Sequence, residues 1–176
     1  MSTATQPAIS AEFATSYRDM LVQQLETKEF PVTAKVIRAV PQAKSSYKPD
    51  DKAKTALELA WHIASAEVWF LDSVADGAFD PAGESKTPNP GDITKIADWY
   101  DKETKRAVER VKKLKGDHLL KAVDFFGAFK LPNFMYLQFE LNHGVHHRGQ
   151  LSTYLRPMGS KIPSIYGGSA DEPWQG

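Results

Sequence analysis

The densest chemistry in the chain is Asn142-His143-Gly144-Val145-His146-His147-Arg148-Gly149-Gln150, which holds three of the protein's five histidines. His143 and His147 are four residues apart, so on a helix their rings leave one face, one turn above the other. His62 lies far upstream, inside a strongly apolar helical run. Two imidazoles from one helix and one from another are enough to hold a divalent metal and leave a coordination position open. Three neutral imidazoles leave such a cation its full double positive charge. It then lowers the pKa of bound water toward neutrality, or takes an incoming low-molecular-weight thiol as its thiolate. The chain has no cysteine, so any thiol would have to come from a cosubstrate. The same absence excludes disulfides, a thiolate nucleophile, zinc–thiolate ligation and iron–sulfur clusters.

Each of these residues also has an ordinary reading. A single histidine in an apolar run is more often a hydrogen-bonded core residue, and a lone i,i+4 pair can be a surface coincidence. Together on two helices of a bundle they match the inward-facing sites that such folds build. A ligating ring needs an acceptor for its other nitrogen. Glu58, Glu140 and Gln150 are the candidates for that role. His146 projects 100° away from His147 and reads as a surface or interface residue. His118 reads as a solvated loop residue, and Arg148 and Arg156 as ion-pair partners. The His143–His147 spacing is that of a zinc-protease helix, but the adjacent glutamate base is missing. There is no Glu-x-x-His di-iron pattern, phosphate-binding loop, dinucleotide fingerprint or nucleophile elbow.

Composition narrows the setting. At 176 residues and 19.6 kDa the chain is long enough to bury a core as one domain, residues 10–176, behind a loose tail at 1–9. Lysine plus arginine and aspartate plus glutamate both number 22, giving a net charge of zero. No overall field favours nucleic acid or an anionic membrane. The basic residues from Lys102 to Lys115 are interleaved with Asp101, Glu103 and Glu109, the pattern of a solvated helix face. No apolar stretch reaches membrane-spanning length, and Met1–Ser10 does not read as a signal peptide, so a cytoplasmic location is expected.

The elements that would carry the histidines are helical. From Ser10 the spacing of Phe13, Tyr17, Met20, Leu21 and Leu25 predicts a first helix, kinked or restarted at Pro31 and stopped at Pro41. Thr55-Ala56-Leu57-Glu58 is a capping box opening a second helix, apolar on most of its circumference and ending at Gly77. A Pro- and Gly-rich loop spans 78–91. Asp92 caps a third helix running to about Lys115, with Gly116 as its terminator. Residues 117–131 are ambiguous between a short extended segment and packed loop. A fourth helix runs from Pro132 to Arg156 and ends at Pro157. The tail 158–176 is irregular, with Ile162, Ile165, Tyr166 and Trp174 available to pack. Four long helices without convincing strand pairing predict an all-α four-helix bundle. A cleft reaching a metal held there, lined by Trp69, Phe139 and Tyr154, would favour catalysis or ligand binding, and a sealed site would favour a structural role.

His143-x-x-His146-His147-Arg148-Gly149-Gln150-Leu151, running on into Tyr154-Leu155-Arg156, resembles the last-helix motif of the DinB/YfiT-like family. Glu58-Leu59-Ala60-Trp61-His62-Ile63 resembles that family's second-helix histidine motif, and Ile162-Pro163-Ser164-Ile165-Tyr166-Gly167 is similar to endings found in the group. The likeness runs from the first helix to the tail. It implies a four-helix bundle, often a homodimer, with a divalent metal on His62, His143 and His147. Zinc or nickel is the implied occupant, with iron, manganese or cobalt as alternatives. The implied activity is that of a metal-dependent enzyme on a small-molecule substrate, either thiol-dependent S-transfer or isomerisation, or hydrolysis. The competing expectation is a non-catalytic metal- or ligand-binding stress-response dimer.

Overall fold

A computed structural model describes residues 9–174. The expected tail at 1–9 therefore lies outside the described residues except for Ile9. The architecture is an all-α four-helix bundle with one small β-hairpin. Its helices are α1 (Ala11–Gln24), α2 (Phe30–Arg38), α3 (Ala56–Asp76), α4 (Ile93–Lys112), the single-turn α5 (Gly116–Leu120) and α6 (Tyr136–Leu155). No described helix is long and apolar enough to cross a membrane.

α1 and α2 form one bundle member. Ser10 caps its start, its side chain accepting from the Phe13 amide at 3.1 Å. Pro31 has no amide hydrogen to donate back into the preceding turn. The chain absorbs this in a π-helical turn, Leu25–Glu29, after which the α-helix resumes with Pro31 in its first turn. The inserted turn leaves the Glu29 side chain buried in the bundle. Phe13 and Met20, part of the apolar stripe, remain more than half exposed, while Leu21, Leu25, Val36 and Ile37 enter the core.

α3 is the central element, packed along both α4 and α6. Leu59, Ile63, Leu71 and Val74 are fully buried, in line with its nearly all-round apolar sequence. Its capping box forms: the Thr55 hydroxyl accepts from the Glu58 amide at 3.2 Å, and Glu58 accepts from the Thr55 amide at 2.8 Å. At its far end Gly77 takes the left-handed conformation, φ 67°, that glycine supplies without strain. The last carbonyls are met from distant sequence. Asn133 donates to the Val74 carbonyl at 2.8 Å, His118 Nε2 lies 3.0 Å from the same oxygen, and Lys121 donates to the Gly77 carbonyl. His118 is thus a half-buried packing residue rather than a solvated one.

Three expectations need correction. The third helix stops at Lys112, not near Lys115, because the buried Arg18 guanidinium gathers the carbonyls of Val111, Lys112 and Leu114 at 3.0 Å each. Gly116 then opens α5 instead of closing α4, and lies so near Ala11 that a Cβ there would come within 2.5 Å of the Ala11 methyl. Residues 122–132 do pair as strands. β1 (Ala122–Phe125) and β2 (Phe129–Pro132) run antiparallel, with Val123 opposite Leu131. Phe126 and Gly127 turn the chain with positive φ angles of 54° and 75°. The last helix therefore begins at Tyr136, after a 3₁₀ turn at Asn133–Met135. In the tail, Ile162 and Ile165 pack on the core, but Trp174 is 82% exposed.

Thr55→Ala should remove the cap of the helix that carries His62. The expected loss is about 1 kcal/mol of stability in urea denaturation, with the helical circular dichroism of the folded state retained.

Candidate metal centre

His62 stands on the second turn of α3, and His143 and His147 lie near the middle of α6. Where the two helices cross, the three rings meet. His62 Nε2 lies 3.3 Å from Nε2 of His143 and 3.3 Å from Nε2 of His147. One nitrogen from each ring falls within 4.8 Å of the others. Ring centroids are 4.4–5.0 Å apart with planes inclined at 62–82°, so edges rather than faces are presented to one another. All three side chains are half-buried.

The far nitrogens show how the rings are held. The Glu84 carboxylate lies 2.7 Å from His62 Nδ1 and also accepts from the Ser65 hydroxyl at 3.2 Å. The Gln150 amide oxygen lies 3.0 Å from His147 Nδ1. Both acceptors select the tautomer with its proton on Nδ1. Nε2 of each ring is then a lone pair. Two lone pairs facing each other across 3.3 Å do not make a hydrogen bond; a positive charge between them turns the contact from repulsive to favourable. His143 Nδ1 is buried without a partner among the described residues.

Protonation points the same way. Burial, reinforced by the charges of His147 and His62, pushes His143 down to about 4. Burial also lowers His147, partly opposed by its hydrogen bond to Gln150. The Glu84 carboxyl is held below its ordinary range chiefly by the His62 hydrogen bond, so it stays anionic. Imidazoles with converging Nε2 atoms, backed by an anion and an amide, fit a borderline-soft divalent cation such as zinc or nickel. His62, His143 and His147 would hold it.

The structure sorts the remaining sequence candidates. Gln150 occupies the backing position expected of it. Glu58 does not: its carboxylate is taken up by the Thr55 cap, accepting from both the amide and the hydroxyl at 2.8 Å. Glu140 points into the bundle with Gly144 and Arg148, on the neighbouring stripe of α6. His146 is exposed, its ring edge-on to His147 at 4.7 Å. Arg148 and Arg156 pair with Glu29 and Asp171, each at 2.8 Å. Glu84 was not anticipated. It sits in the Pro- and Gly-rich loop after α3, where no periodicity marks it. The usable signal was a carboxylate in a loop that has to pass back over the histidine helix.

Access also differs from expectation. A space of about 370 Å³ opens beside His62 and Glu84, bounded by Lys52, Lys54, Trp61 and Asn89. A second, also about 370 Å³, lies beyond Glu84 between α3 and α4, bounded by Trp69, Trp99 and Arg106. Tyr154 borders neither: it is buried with its ring against Tyr47. Phe139 groups with Phe129 and Tyr136 instead.

Residues 17–175 match the DinB family. The chain belongs to the DinB family. It is 30% identical over 147 residues to the YrdA protein of Bacillus subtilis, spanning 83% of this chain and 86% of that one. A DinB-like protein from Bacillus cereus, solved by crystallography, superposes with a TM-score of 0.70 at 28% identity, over 82% of this chain and 95% of its own. The crystal structure of the mycothiol-dependent maleylpyruvate isomerase shares the DinB fold more distantly. Its TM-score is 0.51 at 11% identity, over 88% of this chain and 65% of the isomerase.

Replacing Glu84 with Gln should weaken zinc or nickel binding by roughly 10- to 100-fold, read by competition with a chromogenic chelator. Glu58→Ala should leave that affinity unchanged and cost only helix-cap stability. The reverse pattern would return Glu58 to the site and remove Glu84 from it.

Proposed function

We propose that this DinB-family chain is a divalent-metal enzyme acting on a small molecule, of the thiol-dependent S-transfer or isomerisation type. The observation that carries the reading is the convergence of three imidazole Nε2 atoms, two of the rings backed at Nδ1 by acceptors that fix the tautomer. Bound there, a zinc or nickel ion supplies a Lewis acid that acidifies a thiol or water admitted beside it. The protein's own part is to hold the rings and shape the approach. Glu84 and Gln150 anchor the protons on Nδ1 of His62 and His147. The space beside His62 is lined by Lys52 and Lys54 and equally by Glu58 and Glu84, so its rim offers polar groups of both signs to a ligand. That space gives a ligand a way in, which favours turnover or ligand capture over a purely structural ion.

One fact favours a thiol over water as the nucleophile. The isomerase whose fold it shares is, by its name, dependent on the thiol mycothiol. Hydrolysis through an activated water is the second reading, supported by the same open side of the site.

Elemental analysis of the purified protein should find a stoichiometric divalent metal. His143→Ala and His147→Ala should each lose it, together with at least a hundredfold of any activity found by screening small thiols against model electrophiles. Full activity in a metal-free variant would sink the proposal. Turnover of esters or amides without any thiol would replace it with the hydrolase reading.

A further inference from the structure

Beside the histidine stripe of α6 runs a second one, Glu140, Gly144 and Arg148, at steps of four. It faces Glu67 of α3 and Glu29 of the π-helical turn. Glu29 is fully matched. Arg148 lies 2.8 Å from its carboxylate. The Tyr166 hydroxyl and the Gln24 amide donate to it at 2.8 and 3.1 Å. Arg148 also donates to the Glu29 carbonyl and the Thr33 hydroxyl at 3.2 Å.

Glu67 and Glu140 are not matched. They are 2% and 1% exposed. The Tyr100 hydroxyl donates to Glu67 Oε2. Glu67 Oε1 and Glu140 Oε2 are buried without a partner among the described residues. Both side chains border one void of about 10 Å³, with Gly144 in its wall. A Cβ at position 144 would come within 2.5 Å of Glu67 Oε1, so the missing side chain is what admits the carboxyl group.

The polar groups lining the void are Glu29 and Thr33 from the first bundle member, Glu67 from α3, and Glu140 and Arg148 from α6; behind them Tyr100 of α4 meets Glu67 and Tyr166 of the tail meets Glu29. Arg148 is the one cation among them, and Glu29 already matches it. Two further ionised carboxylates would face each other out of water with no compensating charge. A void of this size admits about one water molecule. We propose that Glu67 and Glu140 form a buried binding site for a single water molecule, with at least one of the two carboxyl groups protonated at neutral pH. The acid form can donate where two carboxylates could only accept, and the water links the orphaned oxygens. Burial foremost raises Glu67 to about 8, and burial with the charge of Glu67 raises Glu140 well above the carboxylate range. A resident metal is a poorer guest. The histidine trio is the group of three that converges among the described residues, whereas the carboxylates of Glu29, Glu67 and Glu140 do not.

The sign of the pH effect follows. An unfolded glutamate loses its proton near 4.5. From there to about 8 the folded chain keeps a proton that the unfolded chain has released. Folding then takes up a proton, and the folding constant falls by up to tenfold per pH unit for each proton held. Infrared spectra of the purified protein at pH 7 should show the carbonyl stretch of a buried protonated carboxyl group, absent from the Glu67→Gln/Glu140→Gln double variant. Urea midpoints between pH 6 and 9 should fall with rising pH in the wild type and fall less in Glu140→Gln, which loses no hydrogen bond in the protein. Absence of the wild-type band, or equal pH slopes in the two proteins, would overturn the proposal. So would stability that rises with sodium, potassium or magnesium at constant ionic strength, since the guest would then be a cation.

Discussion

Everything functional in this fold depends on how closely α3 and α6 approach. At Gly144 the end of the Glu67 side chain lies against a backbone with no Cβ. At the same crossing His62 comes within 3.3 Å of both His143 and His147. The crossing has two chemically different sides. One presents imidazole nitrogens toward a solvent-accessible space, and the other closes over almost fully buried carboxyl groups.

Polar groups in a core this small must be matched, and most of the matching here crosses long stretches of sequence. Arg18 serves the end of α4, Asn133, His118 and Lys121 serve the end of α3, and Tyr166 of the tail reaches the buried Glu29–Arg148 pair. Each of these bonds costs chain entropy to form but leaves no carbonyl or charge stranded. The π-helical turn belongs to the same scheme. Pro31 forces a local change of register, and the change delivers Glu29 to Arg148, one residue along α6 from the ligand candidate His147.

Local rules made the helical elements legible in the sequence. The Thr55–Glu58 box, Gly77 after α3, Asp92 before α4 and Pro157 after α6 all act where short-range chemistry says they should. The convergence of His62, His143 and His147 was legible too, because four-residue spacing fixes a face and an apolar helix must be central. What was not legible depends on partners far away in the chain. The early end of α4 is set by Arg18, some 93 residues distant. The β-hairpin forms from residues whose aromatic content equally suits packed loop. Glu140 was placed with the histidines because a three-residue step on a helix leaves the face ambiguous by 60°, and the structure assigns it to the neighbouring stripe. Glu84 had no local pattern at all.

The ligand count bears on what such a site is for. Closed structural zinc sites in proteins take four protein ligands, whereas catalytic ones keep three and an open position. Among the described residues three imidazoles converge, and the nearest further histidine, His146, turns its ring to solvent. Glu84 is engaged with Nδ1 of His62 and with Ser65, so it backs a candidate ligand instead of joining the donor set. Because Glu84 rides on the loop bounding both neighbouring spaces, the residue that orients His62 also shapes the entrance. A loop placed in this way touches the donor set and the entrance through one side chain, Glu84.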